Sequence, residues 1–337
     1  MSSSTKTIRP KTIKVAAVQM SPIFLTKQAT TNKVCDMILE AGRSGASVIG
    51  FPECIIPGYP AWDELLPMDR GSAWTLFLRL FENSVEVPGP EVDQIAAACK
   101  EANIYAIVGV NERRAGTTGT TFNTQLTFGP DGSLLNKHQK FVPTVGERLI
   151  HAHGQTGSKV SVTSEHRTLS GLICGENANA LAMYSLSLDY PVVHVASWPT
   201  HFSPGIDMQD CILNSTRGLA YSLKCFVLNS VGVIGDDAIE AYGEDDTIRK
   251  YLETERQKPL ATILGPDGNI TAGPLGAGDG ILYADICLSD VVIAKYGIDI
   301  AAHYNRPELF ADHCAKYFSS QAKLWTISRP FISVSSA

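Results

Sequence analysis

Apolar and polar positions alternate in strand-sized and helix-sized blocks along the chain. Ile13 to Met20 is a mostly apolar run of strand length. Thr31 to Ala41 then carries Val34, Met37, Ile38 and Ala41 at helical spacing, and Gly42 stands just past its end as a stop. Ser47 to Phe51 predicts a short buried strand that ends at Pro52-Glu53. Pro90 opens a predicted helix through Ile95, Ala98 and Cys99, with Glu91 and Asp93 at the positive end of its dipole. Strands are predicted over Tyr105 to Glu112 and Thr121 to Phe128. Gly129-Pro130-Asp131-Gly132 supplies a tight turn, and a further strand starts at Leu134.

The second half repeats this grammar. A strand over Thr168 to Ile173 stops at Cys174, and a helix covers Ala180 to Leu188. Pro191 to Ala196 reads as a strand, Asp210 to Leu223 as a helix and Phe226 to Ile234 as a strand. Gly265-Pro266-Asp267-Gly268 copies the earlier turn between short strands at Ala261 to Leu264 and Ile270 to Ala272. Two similar halves without a Pro/Ser-rich linker predict one α/β domain of two packed sheets with helices on the outer faces. The expected boundaries are an N-terminal tail over 1–10, the domain over 11–318 and a C-terminal tail over 319–337. Asp63 to Arg70 and Asp236 to Pro259 are polar and poorly periodic, and read as surface insertions or subunit contacts.

Composition narrows the function. The chain has 337 residues, 44% hydrophobic and 18% charged, as expected of a protein with a large core. A net charge of −6 and no basic run beyond Lys6 to Lys14 argue against nucleic acid as a partner. No segment approaches the ~18 apolar residues of a membrane span, and nothing after Met1 resembles a signal peptide. The eight cysteines are scattered without C-x-x-C spacing, which predicts a reducing cytoplasm rather than disulfides or zinc. His151-x-His153 has the look of a metal fragment, but nothing beside it completes a ligand set, and a loop pair is the expected reading.

Three segments carry candidate chemistry. Cys174 lies in Gly171-Leu172-Ile173-Cys174-Gly175-Glu176-Asn177, where a buried strand stops at a thiol. Backbone N–H groups on such a turn lower a thiol pKa and can later hold an oxyanion; the alternative is a buried structural cysteine. Glu53 lies in Phe51-Pro52-Glu53-Cys54-Ile55-Ile56-Pro57-Gly58-Tyr59-Pro60, an apolar, proline-stiffened loop. Such surroundings suit a carboxyl of raised pKa acting as a general base, the alternative being a helix cap or ion pair. Lys140 lies in Asn136-Lys137-His138-Gln139-Lys140-Phe141-Val142-Pro143-Thr144-Val145-Gly146-Glu147-Arg148, at a strand end before a proline. A cation fixed there would stabilise a tetrahedral adduct. Glu147 either pairs with Arg148 at the surface or holds Lys140.

These three segments, in this order, resemble the nitrilase superfamily of carbon–nitrogen hydrolases, over most of the chain. Within it, the chain is similar to the nitrilase branch. Gly109-Val110-Asn111-Glu112, Phe122-Asn123-Thr124, His194-Val195-Ala196-Ser197-Trp198-Pro199 and His303-Tyr304-Asn305-Arg306-Pro307-Glu308 add to the match. The resemblance implies a four-layer α-β-β-α sandwich with pseudo-symmetric halves. It implies Glu53 as general base, Lys140 as electrostatic catalyst, Cys174 as nucleophile and Glu147 as a second active-site glutamate. Lys140 is chosen over Lys137 because the family's lysine stands three residues before the proline. One departure is that most nitrilases carry Trp after the nucleophile and His two further on, where this chain has Gly175 and Asn177.

The implied reaction is hydrolysis of a nitrile to the acid and ammonia through a thioimidate and a thioester, with no metal or organic cofactor. Alternatives are an aliphatic amidase or a nitrile-hydrating member of the superfamily, and, outside enzymes, a catalytically silent scaffold. Tyr59, Trp62, Gly175, Trp198, Thr200 and His201 are candidate substrate walls by their places in the matched loops. The expected partner is a small nitrile. The resemblance also implies a homodimer or a larger, spiral homo-oligomer.

Overall fold

The computed structural model describes residues 11–155, 160–258 and 260–316. The expected tails, 1–10 and 319–337, lie outside the described residues. The first half runs β1 (Thr12–Met20), α1 (Lys27–Arg43), β2 (Ala46–Gly50), α2 (Gly71–Asn83), α3 (Pro90–Ala102), β3 (Tyr105–Arg113), β4 (Thr121–Phe128) and β5 (Leu134–Gln139). The second runs β6 (Ser161–Ser164), β7 (Arg167–Ile173), α4 (Ala180–Ser187), β8 (Pro191–Trp198), α5 (Met208–Leu223) and β9 (Phe226–Gly232). It continues with α6 (Asp236–Tyr242), α7 (Asp246–Glu255), β10 (Thr262–Leu264), β11 (Ile270–Ala272), β12 (Gly280–Cys287) and α8 (Leu288–Lys295).

Hydrogen bonding joins the strands into one mixed sheet of twelve, in the order β5-β4-β3-β2-β1-β9-β8-β7-β6, with β12 on β1, and β10 and β11 following from β9. The two sheets expected from the sequence are thus continuous in hydrogen bonding. The halves meet where β1 pairs with β9 over only two positions, Gln19↔Val231 and Met20↔Gly232. β12 runs antiparallel along one edge of β1 from Thr12 to Gln19 and β2 parallel along the other from Lys14 to Ala17, leaving only the end of the strand for β9.

Side chains alternate across these strands, so each half has two apolar faces. Ala16, Val18, Ile49 and Val108 share one cluster with Val34 and Ile38 of α1 and Ile95 of α3. Leu172, Ala196 and Val227 share another with Leu186 of α4 and Ile212, Leu219 and Leu223 of α5. A third cluster contains no helix from the layers above. It unites Val15, Ala17, Val48 and Ile107 of the first half with Leu169, Val193, Val195 and Leu228 of the second. The approach there is close enough to require glycine: a Cβ on Gly50 would lie 2.6 Å from Val195 Cγ1.

The segment from Asp236, expected as a poorly periodic insertion, is mostly helical. α6 and α7 are short, but Ala238, Ile239, Tyr242 and Leu252 are buried against Phe24 and Trp62. Their apolar positions are too few to stand out from the acidic residues around them. Among the described residues no helix is long and apolar enough to cross a membrane.

Candidate active site

Glu53, Lys140 and Cys174 each follow directly, or within three residues, on the end of a strand: β2, β5 and β7. The loop bearing Glu53 lies across β3. It is held there by Asn111 N–H donating to Ile56 O at 2.7 Å and by Glu53 N–H donating to Trp198 O at 3.2 Å. Gly109 makes this crossing possible, since a Cβ on it would meet Pro52 O at 2.2 Å and Cys54 N at 2.7 Å. Asn111 tightens the same loop: its Nδ2 donates to Gly58 O at 2.8 Å and more distantly to Cys54 O and Ile56 O.

Lys140 is the centre of the arrangement. It is 1% exposed, and its Nζ donates to Glu53 Oε1 at 2.7 Å and to Glu147 Oε2 at 2.6 Å. Asn123 completes a ring, with Nδ2 donating to Glu53 Oε1 at 2.6 Å and to Glu147 Oε1 at 2.7 Å. Glu147 is therefore buried and holds Lys140; it makes no surface pair with Arg148, whose Nε donates to Pro143 O instead. Lys137 points elsewhere, pairing with Glu112 Oε1 at 2.7 Å.

The electrostatics divide the two carboxyls. Burial pushes Glu53 up to about 7 against the pull of Lys140, and the charge of Glu147 adds to the rise. Burial would raise Glu147 too, but Lys140, His151 and Asn123 outweigh it and hold that carboxyl below the usual range. Burial works against the charge of Lys140, yet its two glutamates keep it firmly protonated. Among the described residues Glu53 Oε2 is buried without a hydrogen-bond partner, so one lone pair of this carboxylate is uncommitted.

Cys174 closes the site at the end of β7. Its φ of 49° is in the left-handed region, unusual for a residue with a Cβ. Burial and then the charge of Glu53 push its thiol well above the ordinary range, while Lys140 and the Gly175 backbone N–H act in the opposite sense. The turn that follows is built on Glu176. Its carboxylate accepts Ile173 N–H at 2.9 Å, Phe141 N–H at 2.7 Å and pairs with His138 Nε2 at 2.8 Å. One side chain thus ties the thiol's strand to the lysine's loop. Asn177 donates to Cys174 O at 2.9 Å and meets His194, whose burial brings it down to about 3, so that ring is neutral.

The candidate substrate walls are spread more widely. Tyr59 is buried within the electrostatic reach of Glu147, Glu53 and Cys174. Gly175 faces open space, the nearest atom to a Cβ there being Thr144 Oγ1 at 3.9 Å. Trp62 packs edge-on against Phe24 and lines a cavity of about 320 Å³ with Asp63, Trp74 and Leu149. Thr200 lines a smaller cavity with Tyr59 and Tyr242. Trp198 is buried in the core with Nε1 on Asn229 Oδ1, and His201 is buried between Phe202 O and Tyr242 Oη. The late motif at His303 is exposed, tied to α4 by Asn305 Nδ2 and Tyr184 Oη at 3.0 Å.

Asn123, Asn111, His151 and Glu176 carry the site's hydrogen bonding without having been singled out by role. Asn111 and Asn123 are legible only as members of the Gly109-Val110-Asn111-Glu112 and Phe122-Asn123-Thr124 segments. His151 is buried against Glu147, not placed in a loop pair, whereas His153 is exposed. Among the described residues no group of three or more His, Cys, Asp or Glu is placed to hold a metal ion.

The chain thus sets a strand-end thiol within electrostatic reach of a buried Glu–Lys–Glu cluster on a mixed α/β scaffold. Residues 14–296 match the carbon-nitrogen hydrolase family, and the chain belongs to it. It is 36% identical over 309 residues to an aliphatic nitrilase of Rhodococcus rhodochrous, covering 89% of this chain and 82% of that one. It is 31% identical over 314 residues to an arylacetonitrilase of Aspergillus oryzae, covering 90% and 91%. In fold it is similar to Nit3 of Saccharomyces cerevisiae, a member of branch 10 of the nitrilase superfamily. The TM-score is 0.63 at 16% identity, over 87% of this chain and 96% of that one.

Proposed function

We propose that this protein is a nitrilase that converts an organic nitrile to its carboxylic acid and ammonia, with Cys174 as nucleophile. The observation that carries the proposal is the placement of Lys140 Nζ between Glu53 and Glu147, buried and adjoining the strand-end thiol. Glu53, near neutrality and with Oε2 uncommitted, takes the Cys174 proton. The sulfur bonds to the nitrile carbon, and the C–N π electrons collect on nitrogen. That nitrogen takes the proton from Glu53, giving a thioimidate. Water adds to the thioimidate carbon as Glu53 accepts its proton. Glu53 passes that proton to the nitrogen. The tetrahedral adduct, stabilised by Lys140 and the Gly175 N–H, then gives its hydroxyl proton to the nitrogen as C=O forms, and ammonia departs, leaving a thioester. A second water, deprotonated by Glu53, releases the acid and returns the proton to sulfur.

The same site would hydrolyse an amide through the same thioester. The naming of relatives at 31–36% identity as nitrilases favours the nitrile. Their different printed substrates leave the side chain of the nitrile open. Tyr59, Trp62, Gly175, Trp198, Thr200 and His201 remain the proposed surroundings of that side chain, supported for Tyr59 by its place within electrostatic reach of the thiol and for Gly175 by its place next to it in the chain.

The domain is read as residues 11–318, in an α-β-β-α arrangement supported by the central cluster shared between the two halves. A cytoplasmic setting is supported by eight free thiols, and a homo-oligomer by the exposed Ile293, Tyr296, Leu309 and Phe310 near the end of the described chain.

The test measures ammonia released from matched nitriles and amides by the wild type and by Cys174→Ala. The expected result is turnover of nitrile in preference to amide, abolished in Cys174→Ala with an unchanged unfolding transition. Ordinary turnover in a folded Cys174→Ala protein would refute the mechanism.

A further inference from the structure

His151 is buried between two acceptors. Its Nδ1 lies 3.2 Å from Glu147 Oε1 and its Nε2 lies 2.8 Å from Asn111 Oδ1. The Asn111 amide has only one sensible orientation, because Nδ2 is surrounded by the carbonyl oxygens of Cys54, Ile56 and Gly58. Flipping it would set an oxygen against three oxygens. Oδ1 therefore faces the ring, and Nε2 must carry a hydrogen to donate.

The other side leads to the same demand. Apart from His151, Glu147 is approached by Asn123 Nδ2 at 2.7 Å, Lys140 Nζ at 2.6 Å and Thr144 N–H at 2.9 Å. All three are donors, and each stabilises negative charge. The proton between Oε1 and Nδ1 then belongs on the nitrogen. Both ring nitrogens donate, and the ring is an imidazolium.

We infer that His151 is a buried imidazolium which keeps Glu147 an anion, so that Glu53 is the one carboxyl of the site free to exchange a proton. The inference makes His151 a positioning residue and rests on the reading of Glu53 as the base. The charges close on this assignment: Lys140 and His151 balance Glu147 and ionised Glu53. The other ionisable groups of the surrounding loops do not upset the count. Cys54 and Tyr59, after β2, are pushed up by burial and stay neutral. Asp63, raised to about 8 by burial and by Glu64 and Glu147, is protonated at neutral pH. Cys174, after β7, is neutral before the reaction. From β3 and β4, Asn111 and Asn123 bind the ring and the carboxylates, while Glu112 is paired with Lys137 and Arg113 with Glu86. The same ring also reaches, through Asn111, the loop that carries Glu53. It thereby couples the positions of the two carboxylates as well as their charges.

The experiment is ¹⁵N NMR of the histidine rings in the full-length protein labelled at histidine, at about pH 7. One ring should have both nitrogens protonated, and its signals should be missing from His151→Gln. A ring at 151 with one bare nitrogen at neutral pH would overturn the inference, whatever the activity. The second measurement is the pH profile of kcat/KM for His151→Gln. Loss of a positive charge should move the acidic limb up by about one pH unit, a roughly tenfold loss of rate below the limb. A lower rate with an unmoved limb would mean that His151 only fills space, and would also overturn the inference. If His151→Gln fails to fold, the wild-type spectrum still decides, with the other histidines assigned through their own substitutions. The reading of Glu53 and Cys174 is judged separately, by turnover in Cys174→Ala.

Discussion

Replacing Lys140 by Met, which keeps the length of the side chain and removes the charge, tests the centre of the site. Nζ lies 2.7 Å from Glu53 Oε1 and 2.6 Å from Glu147 Oε2, with all three side chains at 1% exposure or less. Without it two buried carboxyls share the Asn123 amide, and one of them must hold a proton. Glu147 keeps His151 and the Thr144 N–H, so the proton goes to Glu53. A rise of ~2 units above its present value near neutrality leaves about 1% of the base available at pH 7. The lost donor costs a further factor of about 10²–10³ at the tetrahedral step. Together the loss of kcat/KM should be ~10⁴-fold, with about 3–5 kcal/mol of stability for a broken buried pair. Lys137→Met is the control. Its partner Glu112 retains Thr124 Oγ1 at 2.7 Å and Gln139 Nε2 at 3.0 Å, and Lys137 is itself 37% exposed, so the cost should stay near 1 kcal/mol with little change in rate. The assays are ammonia release and denaturant unfolding. A Lys140→Met protein within tenfold of wild type, or a more damaging Lys137→Met, would refute the reasoning.

Gly175→Trp should lower kcat/KM for bulky nitriles more than for small ones, because the space beside Gly175 is open and its φ is outside the left-handed region; an unchanged ratio in a folded, active variant would show that residue 175 does not face the substrate. Asp63→Asn should change how stability depends on pH. With an ordinary value of 3.8 raised to about 8, wild-type Asp63 binds a proton in the folded state that the unfolded chain has lost. Its contribution therefore falls as pH rises from about 4 to about 8, by up to about 1.4 kcal/mol per pH unit. Denaturant titrations across that range should show the slope in the wild type and its reduction in Asp63→Asn, and identical slopes would place the carboxyl in contact with water.

Strand ends were legible because β2 and β7 are apolar runs that stop abruptly at Pro52-Glu53 and Cys174. The resemblance picked Lys140 over Lys137, and β5 puts the two lysines in different surroundings, one with Glu53 and Glu147, the other with Glu112. What local pattern could not show was pairing between distant segments. The single sheet depends on two positions where β1 meets β9, and nothing in Gln19-Met20 or Val231-Gly232 announces them. β12 escaped notice because its outward residues leave it only partly buried, so its apolar alternation is weak. The Asn123 and His151 links were hidden for a different reason. A buried asparagine or histidine takes its role from what lies opposite, and here the partners come from residues 53 and 111.

The backbone adds a feature that no residue type advertised. Glycine or asparagine would ordinarily mark a left-handed position. Yet Cys54 has φ 48°, Val145 φ 43° and Cys174 φ 49°, one in each of the three chemical segments. Such conformations cost about 1–3 kcal/mol each and persist only where surrounding contacts over-determine them. Those contacts are identifiable. Cys54 is pinned by Asn111, which binds the carbonyls at 54, 56 and 58. Val145 sits between Thr144, whose N–H binds Glu147, and Gly146, whose N–H binds Glu64. Cys174 is held by Glu176 on one side and Asn177 on the other. The polar network thus does two things with the same bonds. It fixes the charge state of the two carboxyls, and it holds Cys54, Val145 and Cys174 in backbone conformations such residues rarely adopt. Loosening one member should therefore disturb charge and geometry together, which is why the tests of Lys140 and His151 need a pH or protonation readout beside the rate.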